Sequence, residues 1–161
     1  MKIKIKYHNQ NCKITKYGDW IDLRAAERVE LKGPKIAKGN TIIFHNSLIS
    51  LGVSMKLPKY MEANIVPRSS TYGQFKVIQA NHIGIVDNAY SGNNDIWKLN
   101  VIALEDTVIE ESDRICQFRI RLAQNAPWWA KLKWLFSGKV KFVEVAQLEG
   151  KDRGGFGSTN K

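Results

Sequence analysis

Short apolar or alternating runs, separated by Gly, Pro, Asn and Asp, follow one another along most of the chain. This punctuation is typical of β-strands joined by tight turns. Short strands at this spacing predict an all-β sandwich, barrel or jelly roll rather than alternating βαβ units. Trp20 and Trp97, inside two of these runs, are expected in the core. The predicted strands are residues 2–6, 20–24, 41–44, 62–66, 76–79, 84–86, 97–104, 114–121 and 139–146.

One segment, residues 127–138, breaks this pattern. A proline starts it, helix formers follow and a glycine ends it, which predicts a short helix. At about 100° per residue its large apolar side chains fall on one arc, while Lys131, Lys133 and Trp134 lie outside that arc. We expect the arc to cover the body of its own subunit or assembly, or else to dock another protein. The arc consists of Trp128, Trp129, Leu132, Leu135 and Phe136.

Composition narrows the class of protein. The 161 residues fit one domain, and a 43% hydrophobic content together with a net charge of +10 indicates a folded domain that favours anions. No run approaches the roughly 20 apolar residues that span a bilayer, so a soluble protein without a membrane partner is expected. Cys12 and Cys116 are too few for a disulfide framework, and no Cys or His stands at zinc-ligand spacing. These features predict a reducing, cytoplasmic location.

The run from Gln79 to Gly92 carries the first candidate chemistry. Here an apolar strand ends at Asp87, and a turn leads to Tyr90. The backbone of such a hairpin can hold a planar ligand, an Asp at a strand end can orient a water as general base, and a Tyr ring can pack against a sugar. Taken alone, Asp87 fits a turn-forming residue better than a catalytic one.

Two other segments carry groups that bind phosphate. Arg68 and Ser69 directly follow an apolar strand, and a guanidinium fork beside a hydroxyl suits phosphate oxygens, although a capped turn with a solvated Arg explains the same residues. Residues 151–161 resemble a frayed tail. Yet their flexible, glycine-rich backbone carries an Arg, an aromatic and hydroxyls, which suits a lid over a phosphorylated ligand.

Taken in order, these segments resemble the homotrimeric dUTPase family, which hydrolyses dUTP to dUMP and pyrophosphate. The resemblance runs from about Gly18 to Thr159, and the Pro-Arg-Ser-Ser-Thr run is similar to that of Gram-positive bacterial and phage members. The five motifs that carry it are residues 19–25, 67–70, 79–92, 114–118 and 153–159.

The resemblance implies the architecture of the whole chain. The subunit is expected to be all-β, a distorted jelly roll of the dUTPase-like β-clip type, and to assemble as a homotrimer. Its single domain would be residues 1–149, with 127–138 as a helical insertion. Residues 150–161 would form a flexible arm that closes over an active site, and each active site would draw on three subunits.

The resemblance also assigns roles to single residues. Asp87 would be the general base, Arg68 and Ser69 would bind the reacting phosphates, and these three form the catalytic set. Asp22 would contact Mg²⁺ through water, as suits a carboxylate and a hard cation. Arg114 would be an orienting or structural partner. The substrate-binding set is Asn81, Gly84, Ile85 and Tyr90 for deoxyuridine, Gln117, Arg153, Ser158 and Thr159 for the phosphates, with Arg153 on the γ-phosphate, and Phe156 for stacking on uracil.

Two positions and one spacing depart from the family pattern. Ser70 stands where most members have Gly, and Tyr60 replaces another common glycine. The spacing between Arg153 and Phe156 is two residues shorter than in the common form.

Two alternatives stay open beside dUTP hydrolysis. The Pro-Arg-Ser-Ser run is also similar to dCTP deaminases of the same fold, but Trp97 and Gly73 stand near the positions where that family has its Glu and a further Arg. A regulatory protein-binding module would instead use the aromatic helix at 127–138. Nucleic acid is not expected as a partner, because the lysines are scattered and form no block.

Overall fold

Fourteen strands and two α-helices make up residues 1–15, 18–137 and 139–155, which are the residues described by a computed structural model. The all-β prediction is confirmed. The helices are α1 (Thr71–Phe75) and α2 (Trp128–Leu135), and a 3-10 turn spans Gln10–Cys12. The strands are β1 (Lys2–Tyr7), β2 (Ile21–Arg24), β3 (Val29–Leu31), β4 (Lys35–Ile36), β5 (Ile42–Ile43), β6 (Asn46–Ser50), β7 (Val53–Lys56), β8 (Met61–Pro67), β9 (Val77–Gln79), β10 (Gly84–Asp87), β11 (Lys98–Ala103), β12 (Thr107–Ile109), β13 (Arg114–Leu122) and β14 (Lys141–Glu144).

Strand β8 lies inside the largest sheet, whose antiparallel order is β10-β8-β13-β2. β10 pairs with it from Gly84 opposite Ile65 to Asp87 opposite Glu62. Two three-stranded sheets, β14-β1-β7 and β6-β11-β9, and two strand pairs, β12-β3 and β4-β5, complete the fold. The register of β10 and β13 against β8 determines which of their residues lie beside each end of β8. Neither helix of the described ranges has the length and apolar character needed to cross a membrane.

The core is built from alternating strand positions. Buried and half-buried residues alternate strictly along β11, as expected where one face of a strand is covered. Trp97 is fully buried and meets the edge of Phe118 with ring centroids 5.3 Å apart, so its predicted place in the core is confirmed. The same prediction for Trp20 is wrong. β2 begins only at Ile21, and Trp20 lies exposed in the preceding bend with the Arg119 guanidinium 5.5 Å from its ring.

The nine predicted strands all appear, with ends shifted by one or two residues. Five further strands, β3, β4, β6, β7 and β12, are not predicted by the pattern. Three of these have only two or three residues, too few for an alternation to show. β7 has three successive buried residues and therefore no alternation.

Helix α2 confirms the predicted helix but not its predicted face. Ala130 is buried and Trp134 packs against the core. Within the predicted apolar arc, Trp129 contacts Tyr60 of the body, whereas Trp128 and Leu135 are each 72% exposed and Phe136 is 81% exposed. The expectation that the whole arc covers the body of its own subunit is therefore wrong for the single chain. That the segment is an insertion into a domain of residues 1–149 stays a prediction.

Tyr60 is the residue on which the helix rests. Its φ of 65° lies in the left-handed region that favours glycine, which accounts for the glycine common at this position in the resembling family. The Tyr60 ring stands edge-on to Trp129 with centroids 5.3 Å apart, and Lys59 Nζ lies 5.0 Å from the same ring. Contact with the helix thus offsets a strained backbone.

Candidate functional site

Two arginines converge on one carboxylate beside the end of β8. Arg68 Nε donates to Asp22 Oδ1 at 2.9 Å, and Arg114 Nη1 donates to Asp22 Oδ2 at 3.1 Å. The three residues meet because β13 lies between β2 and β8. We call them the arginine cluster. Its excess of one positive charge and its planar donors suit a phosphate.

Hydroxyl groups hold the backbone and the guanidinium of Arg68. Thr71 Oγ1 accepts from the Arg68 N–H at 2.8 Å and donates to the Ile115 carbonyl at 2.9 Å. Arg68 Nη1 donates to Ser70 Oγ at 3.2 Å, so the serine that replaces a family glycine supports the arginine. Ser69 is exposed in the same turn. The bracing by Thr71 was not predicted from the sequence.

Gln117 and Cys116 are neighbours on β13 that face opposite ways. Gln117 Nε2 donates to the Pro67 carbonyl at 3.2 Å, and an amide nitrogen has a second N–H for a ligand. Cys116 is fully buried and free. Burial raises the pKa of its thiol far above the usual range, so it is neutral and not a nucleophile.

Asp87 ends β10 and caps the turn that follows. Its Oδ1 accepts from the Ala89 N–H at 2.8 Å and from the Tyr90 N–H at 3.2 Å. Its Oδ2 pairs with the guanidinium of Arg153. Oδ1 of Asp87 therefore stabilises the turn, while Oδ2 faces the group available for chemistry. The two interpretations of Asp87 are compatible.

The segment before Asp87 is not the predicted hairpin. β9 pairs with β11 and β10 pairs with β8, so the two strands belong to different sheets. Gln79, which the sequence did not single out, stabilises the connection between β9 and β10. Its Nε2 donates to the Ile65 carbonyl and to Asn81 Oδ1, both at 3.1 Å. Asn81 and Ile85 are exposed, and Gly84 is half-buried. β10 is an edge strand, so alternate backbone groups face away from β8.

A cleft of about 210 Å³ lies beside Asp87, and we call it the Asp87 cleft; Ile85, Tyr90 and Arg153 line it. The Tyr90 hydroxyl donates to the Ile96 carbonyl at 3.0 Å. Burial, helped by nearby carboxylates, raises the pKa of Tyr90 above its ordinary value, so the ring is a neutral wall of the cleft. The described chain thus brings Arg153 to Asp87, whereas Phe156, Ser158 and Thr159 lie outside the described residues and their roles stay predictions.

The arginine cluster and Asp87 lie at opposite ends of β8. Asp87 is paired with Glu62 near the start of the strand, whereas Arg68 follows Pro67 at its end. About six residues of extended chain separate the two ends by roughly 20 Å. One chain therefore cannot bring Arg68 and its own Asp87 to the same phosphorus atom.

The donor set at Asp22 limits how a metal could bind. Among residues 1–15, 18–137 and 139–155, no three His, Cys, Asp or Glu side chains cluster. Asp22 is one carboxylate, already in contact with two guanidiniums. Such a site fits Mg²⁺ held through water and by substrate phosphates, and not a cation caged by protein ligands.

An all-β subunit with an arginine cluster at one end of a sheet and a carboxylate cleft at the other suits an enzyme that acts on a phosphorylated ligand. The dUTPase family model matches residues 36–125, more than half of the chain. An SPbeta prophage-derived deoxyuridine 5′-triphosphate nucleotidohydrolase of Bacillus subtilis is 45% identical over 162 residues, covering 99% of this chain and 98% of the relative. A deoxyuridine 5′-triphosphate nucleotidohydrolase of Clostridium acetobutylicum is 34% identical over 116 residues, covering 71% of this chain and 70% of its own. This chain belongs to the dUTPase family.

Solved structures show the same fold. A dUTPase from Streptococcus mutans matches with a TM-score of 0.62 and 19% identity, covering 75% of this chain and 93% of its own. A dUTPase variant from phage phi11 of S. aureus, described as coordinating a structural Mg(II) ion, matches with a TM-score of 0.60 and 14% identity, covering 78% and 93%.

Proposed function

We propose that this protein hydrolyses dUTP to dUMP and pyrophosphate. The observation that carries the proposal is one fold with an arginine cluster at one end of β8 and an edge strand ending in Asp87 at the other. The cluster supplies charge for a triphosphate, and the edge backbone and the cleft suit a base and a sugar. Family membership and the named relatives support the same substrate.

In the proposed reaction, a water attacks the α-phosphorus in line with the departing pyrophosphate. Asp87 accepts the proton of this water as general base. Arg68 and Ser69 donate to the oxygens on which charge develops, which favours the transition state over the ground state. Gln117 adds an amide N–H from β13.

The nucleoside would be recognised along β10. Asn81 and the backbone of Gly84 and Ile85 would bind uracil at the edge of the sheet, and Tyr90 would lie against the deoxyribose and leave no room for a 2′-hydroxyl. Residues 150–161 would act as the arm that closes over the site. In that arm Phe156 would stack on uracil while Ser158 and Thr159 donate to phosphate.

Mg²⁺ belongs to the proposal as an ion shared with the substrate. Asp22 would contact it through water, and the remaining ligands would be phosphate oxygens. When bound, the ion neutralises charge on the triphosphate. A cytoplasmic location is also proposed, since both cysteines are free and buried, as suits a reducing compartment.

The separation along β8 supports a homotrimer with shared sites. Because one chain cannot apply Arg68 and its own Asp87 to one phosphorus, a neighbouring chain must supply the other half. We propose that each site combines the arginine cluster of one subunit with the Asp87 cleft of another.

Mixing two impaired variants, at a dUTP concentration far below the Kd of Arg68→Ala, tests this arrangement. Arg68→Ala and Asp87→Asn chains, mixed one to one and refolded together, should show more activity than either variant does alone. Each site then takes its two halves from independently chosen chains, so about a quarter of the sites are intact. No recovery, with mixed trimers verified by two affinity tags, would exclude shared sites.

Substrate choice separates dUTP hydrolysis from dCTP deamination. The deaminase alternative is not favoured, because Trp97, near the position of the missing Glu, is fully buried and offers no carboxylate. Pyrophosphate release should be seen with dUTP and Mg²⁺ and be far weaker with dCTP or UTP. Ammonia release from dCTP would overturn the choice.

A second proposed function rests on the exposed face of α2. A cavity of about 720 Å³ opens between helix α2 and the turn that precedes β8, with Tyr60, Trp129 and Phe136 in its wall and Lys59 and Lys133 on its lining. Aromatic walls with lysines suit an acidic segment of another protein that inserts an apolar side chain. We propose such an acidic segment as the occupant.

A synthetic peptide with a Leu-Trp anchor flanked by glutamates tests this surface. It should bind the full-length protein, more weakly at high salt, and Trp129→Ala or Lys133→Glu should reduce the affinity. A peptide with the same anchor flanked by lysines should not bind. Equal binding of both peptides, or association of the protein with itself through this face, would contradict the proposal.

A further inference from the structure

The amide of Gln79 lies buried at the end of β9. Its Nε2 donates to the Ile65 carbonyl on β8 and to Asn81 Oδ1, both at 3.1 Å. An amide nitrogen has two N–H groups, so each of them has one acceptor. Gly84 of β10 lies against the same amide, since a Cβ built on it would stand 3.5 Å from Gln79 Nε2. The Gln79 amide thus joins β8, β10 and the side chain of Asn81.

These bonds determine which way the exposed amide of Asn81 points. The Ile65 carbonyl oxygen can only accept, so the nitrogen of Gln79, and not its oxygen, must face it. The other N–H of the same nitrogen then requires Oδ1 of Asn81, and not Nδ2. Oδ1 and Nδ2 lie on opposite sides of Cγ, so Nδ2 points away from Gln79. The backbone of β8 therefore fixes, through Gln79, an amide that offers N–H donors to a ligand.

The oxygen of the Gln79 amide shows that packing alone does not account for this residue. Gln79 Oε1 is buried, and no atom of residues 1–15, 18–137 and 139–155 forms a hydrogen bond with it. Burying an unpaired oxygen costs stability, and a leucine of similar size would avoid that cost. A leucine would not supply the nitrogen that holds Asn81. We therefore expect the contribution of Gln79 to lie in its bond to Asn81.

We infer that Gln79 is a positioning residue that selects uracil over cytosine. Uracil has a carbonyl oxygen at C4, where cytosine has an amino group. With its amide held by Gln79, Asn81 donates from Nδ2 to the uracil oxygen, whereas with cytosine two donors would face each other and stay unpaired. The inference rests on the proposed binding of uracil by Asn81.

Gln79→Leu tests the inference, because it keeps the volume of the side chain and removes the nitrogen. Asn81 can then turn its oxygen toward the base, so the preference for uracil should fall. The measured quantity is the ratio of the Kd values for the α,β-imido analogue of dUTP and for its dCTP counterpart. We expect this ratio to shift at least about tenfold toward dCTP, the scale of one hydrogen bond whose loss leaves a polar group unpaired. The kcat with saturating dUTP should change less than about twofold, since the loss is one of binding.

Val77→Ala is the matched control, because Val77 is also buried on β9 and its side chain has no polar atom. This change should lower the free energy of unfolding in urea and leave the Kd ratio unchanged. An unchanged ratio in Gln79→Leu, or an equal shift in Val77→Ala, would overturn the inference while dUTP hydrolysis by the wild type still stands. Absence of dUTP hydrolysis in the wild type would overturn the proposed function and the inference together.

Asn81→Asp gives a second test with little folding risk, because Asn81 is exposed. Gln79 can still donate to one oxygen of the new carboxylate, and the other oxygen then offers an acceptor to the amino group of cytosine. The Kd ratio should therefore shift at least about tenfold toward dCTP in this variant as well. An unmoved ratio would show that the outward atom of residue 81 does not face C4, and would overturn the inference.

The double variant shows whether Gln79 acts through the Asn81 amide. A carboxylate has two equivalent oxygens, so turning it changes nothing that the base meets. Added to Asn81→Asp, the substitution Gln79→Leu should shift the Kd ratio by less than about twofold, against about tenfold in the wild-type background. Equal shifts in both backgrounds would mean that Gln79 acts by another route, and would overturn the inference.

Discussion

The arginine cluster and the Asp87 cleft hold their charged groups by different means. In the cluster, side chains hold side chains, since Asp22 accepts from both Arg68 and Arg114. At the cleft, backbone N–H groups of Ala89 and Tyr90 hold Oδ1 of Asp87, and Oδ2 has a side-chain partner, Arg153. A phosphate offers a guanidinium the same paired oxygens as a carboxylate does, so it can replace Asp22. We therefore expect the arginine side chains of the cluster to change partners when a phosphate binds. The Asp87 carboxylate is expected to keep its position.

The largest effect on activity is expected from a substitution in the Asp87 cleft. Asp87→Asn should lower kcat at least about a hundredfold, as for a lost general base, while the Kd for dUTP changes little. The turn should survive, because Asn keeps a side-chain oxygen for the N–H groups of Ala89 and Tyr90. Pyrophosphate release and calorimetric binding measure the two quantities. Near-normal turnover would contradict the assignment of Asp87.

Substitutions in the arginine cluster should mainly weaken the binding of dUTP. Arg68→Ala should raise the Kd for dUTP about tenfold to a hundredfold, the range for a charged hydrogen bond. Arg114→Ala should cost less, because that side chain is 45% exposed against 20% for Arg68 and fits an orienting partner better. Titration of both variants with the imido analogue compares them directly. Equal losses would show that both arginines bind phosphate.

Asp22→Asn should change the dependence of activity on Mg²⁺, which distinguishes the arginine cluster from the Asp87 cleft. Removing one carboxylate that contacts Mg²⁺ through water should raise the Mg²⁺ concentration for half-maximal activity about tenfold, a typical effect of an outer contact. Chelation with EDTA should lower activity in both proteins. The control is Asp106→Asn, which changes an exposed carboxylate of a distant pair. An unchanged Mg²⁺ dependence in Asp22→Asn would remove Asp22 from the metal site.

The smallest effect concerns His8, which lies outside both halves of the site. His8 Nε2 lies 2.9 Å from Ser54 Oγ, and burial followed by the charge of Lys6 lowers the pKa of His8 below 6.5. A His kept neutral by the fold adds stability above the unfolded pKa, and this stability is lost as the pH falls through the folded pKa. The free energy of unfolding in urea should therefore decline below about pH 6.5, less steeply in His8→Gln. Parallel pH profiles would exclude His8 as the cause.

Arg68, Ser69 and Asp87 were singled out because each stands at the end of an apolar strand, and the family resemblance, not this pattern, gave them their predicted roles. Arg68 and Ser69 come after β8, and Asp87 closes β10. Their separation could not be predicted, because it depends on the register of β10 against β8 and not on either sequence alone. The contact between Arg153 and Asp87 was missed for a similar reason, because the two residues stand 66 positions apart in the sequence.

Helix α2 shows how periodicity can indicate an element and miss its orientation. The helix was predicted from its composition and its Pro and Gly ends. The larger apolar arc was taken as the buried face, yet Trp134, next to Lys133, is the side chain that packs on the core. Which face is covered depends on the surface the helix meets, and Tyr60 forms part of that surface.

The contact between Tyr60 and Trp129 constrains the order in which this chain can change. A left-handed residue other than glycine costs about 1 kcal/mol, which here the helix offsets. Loss of the helix while Tyr60 is present would leave this strain uncompensated, whereas Tyr60→Gly is expected to remove the strain and, with it, the ring contact to Trp129. If the helix is lost during evolution, we therefore expect Tyr60→Gly to come first. In the reverse order, the chain would pass through a form that has the strained tyrosine and no helix.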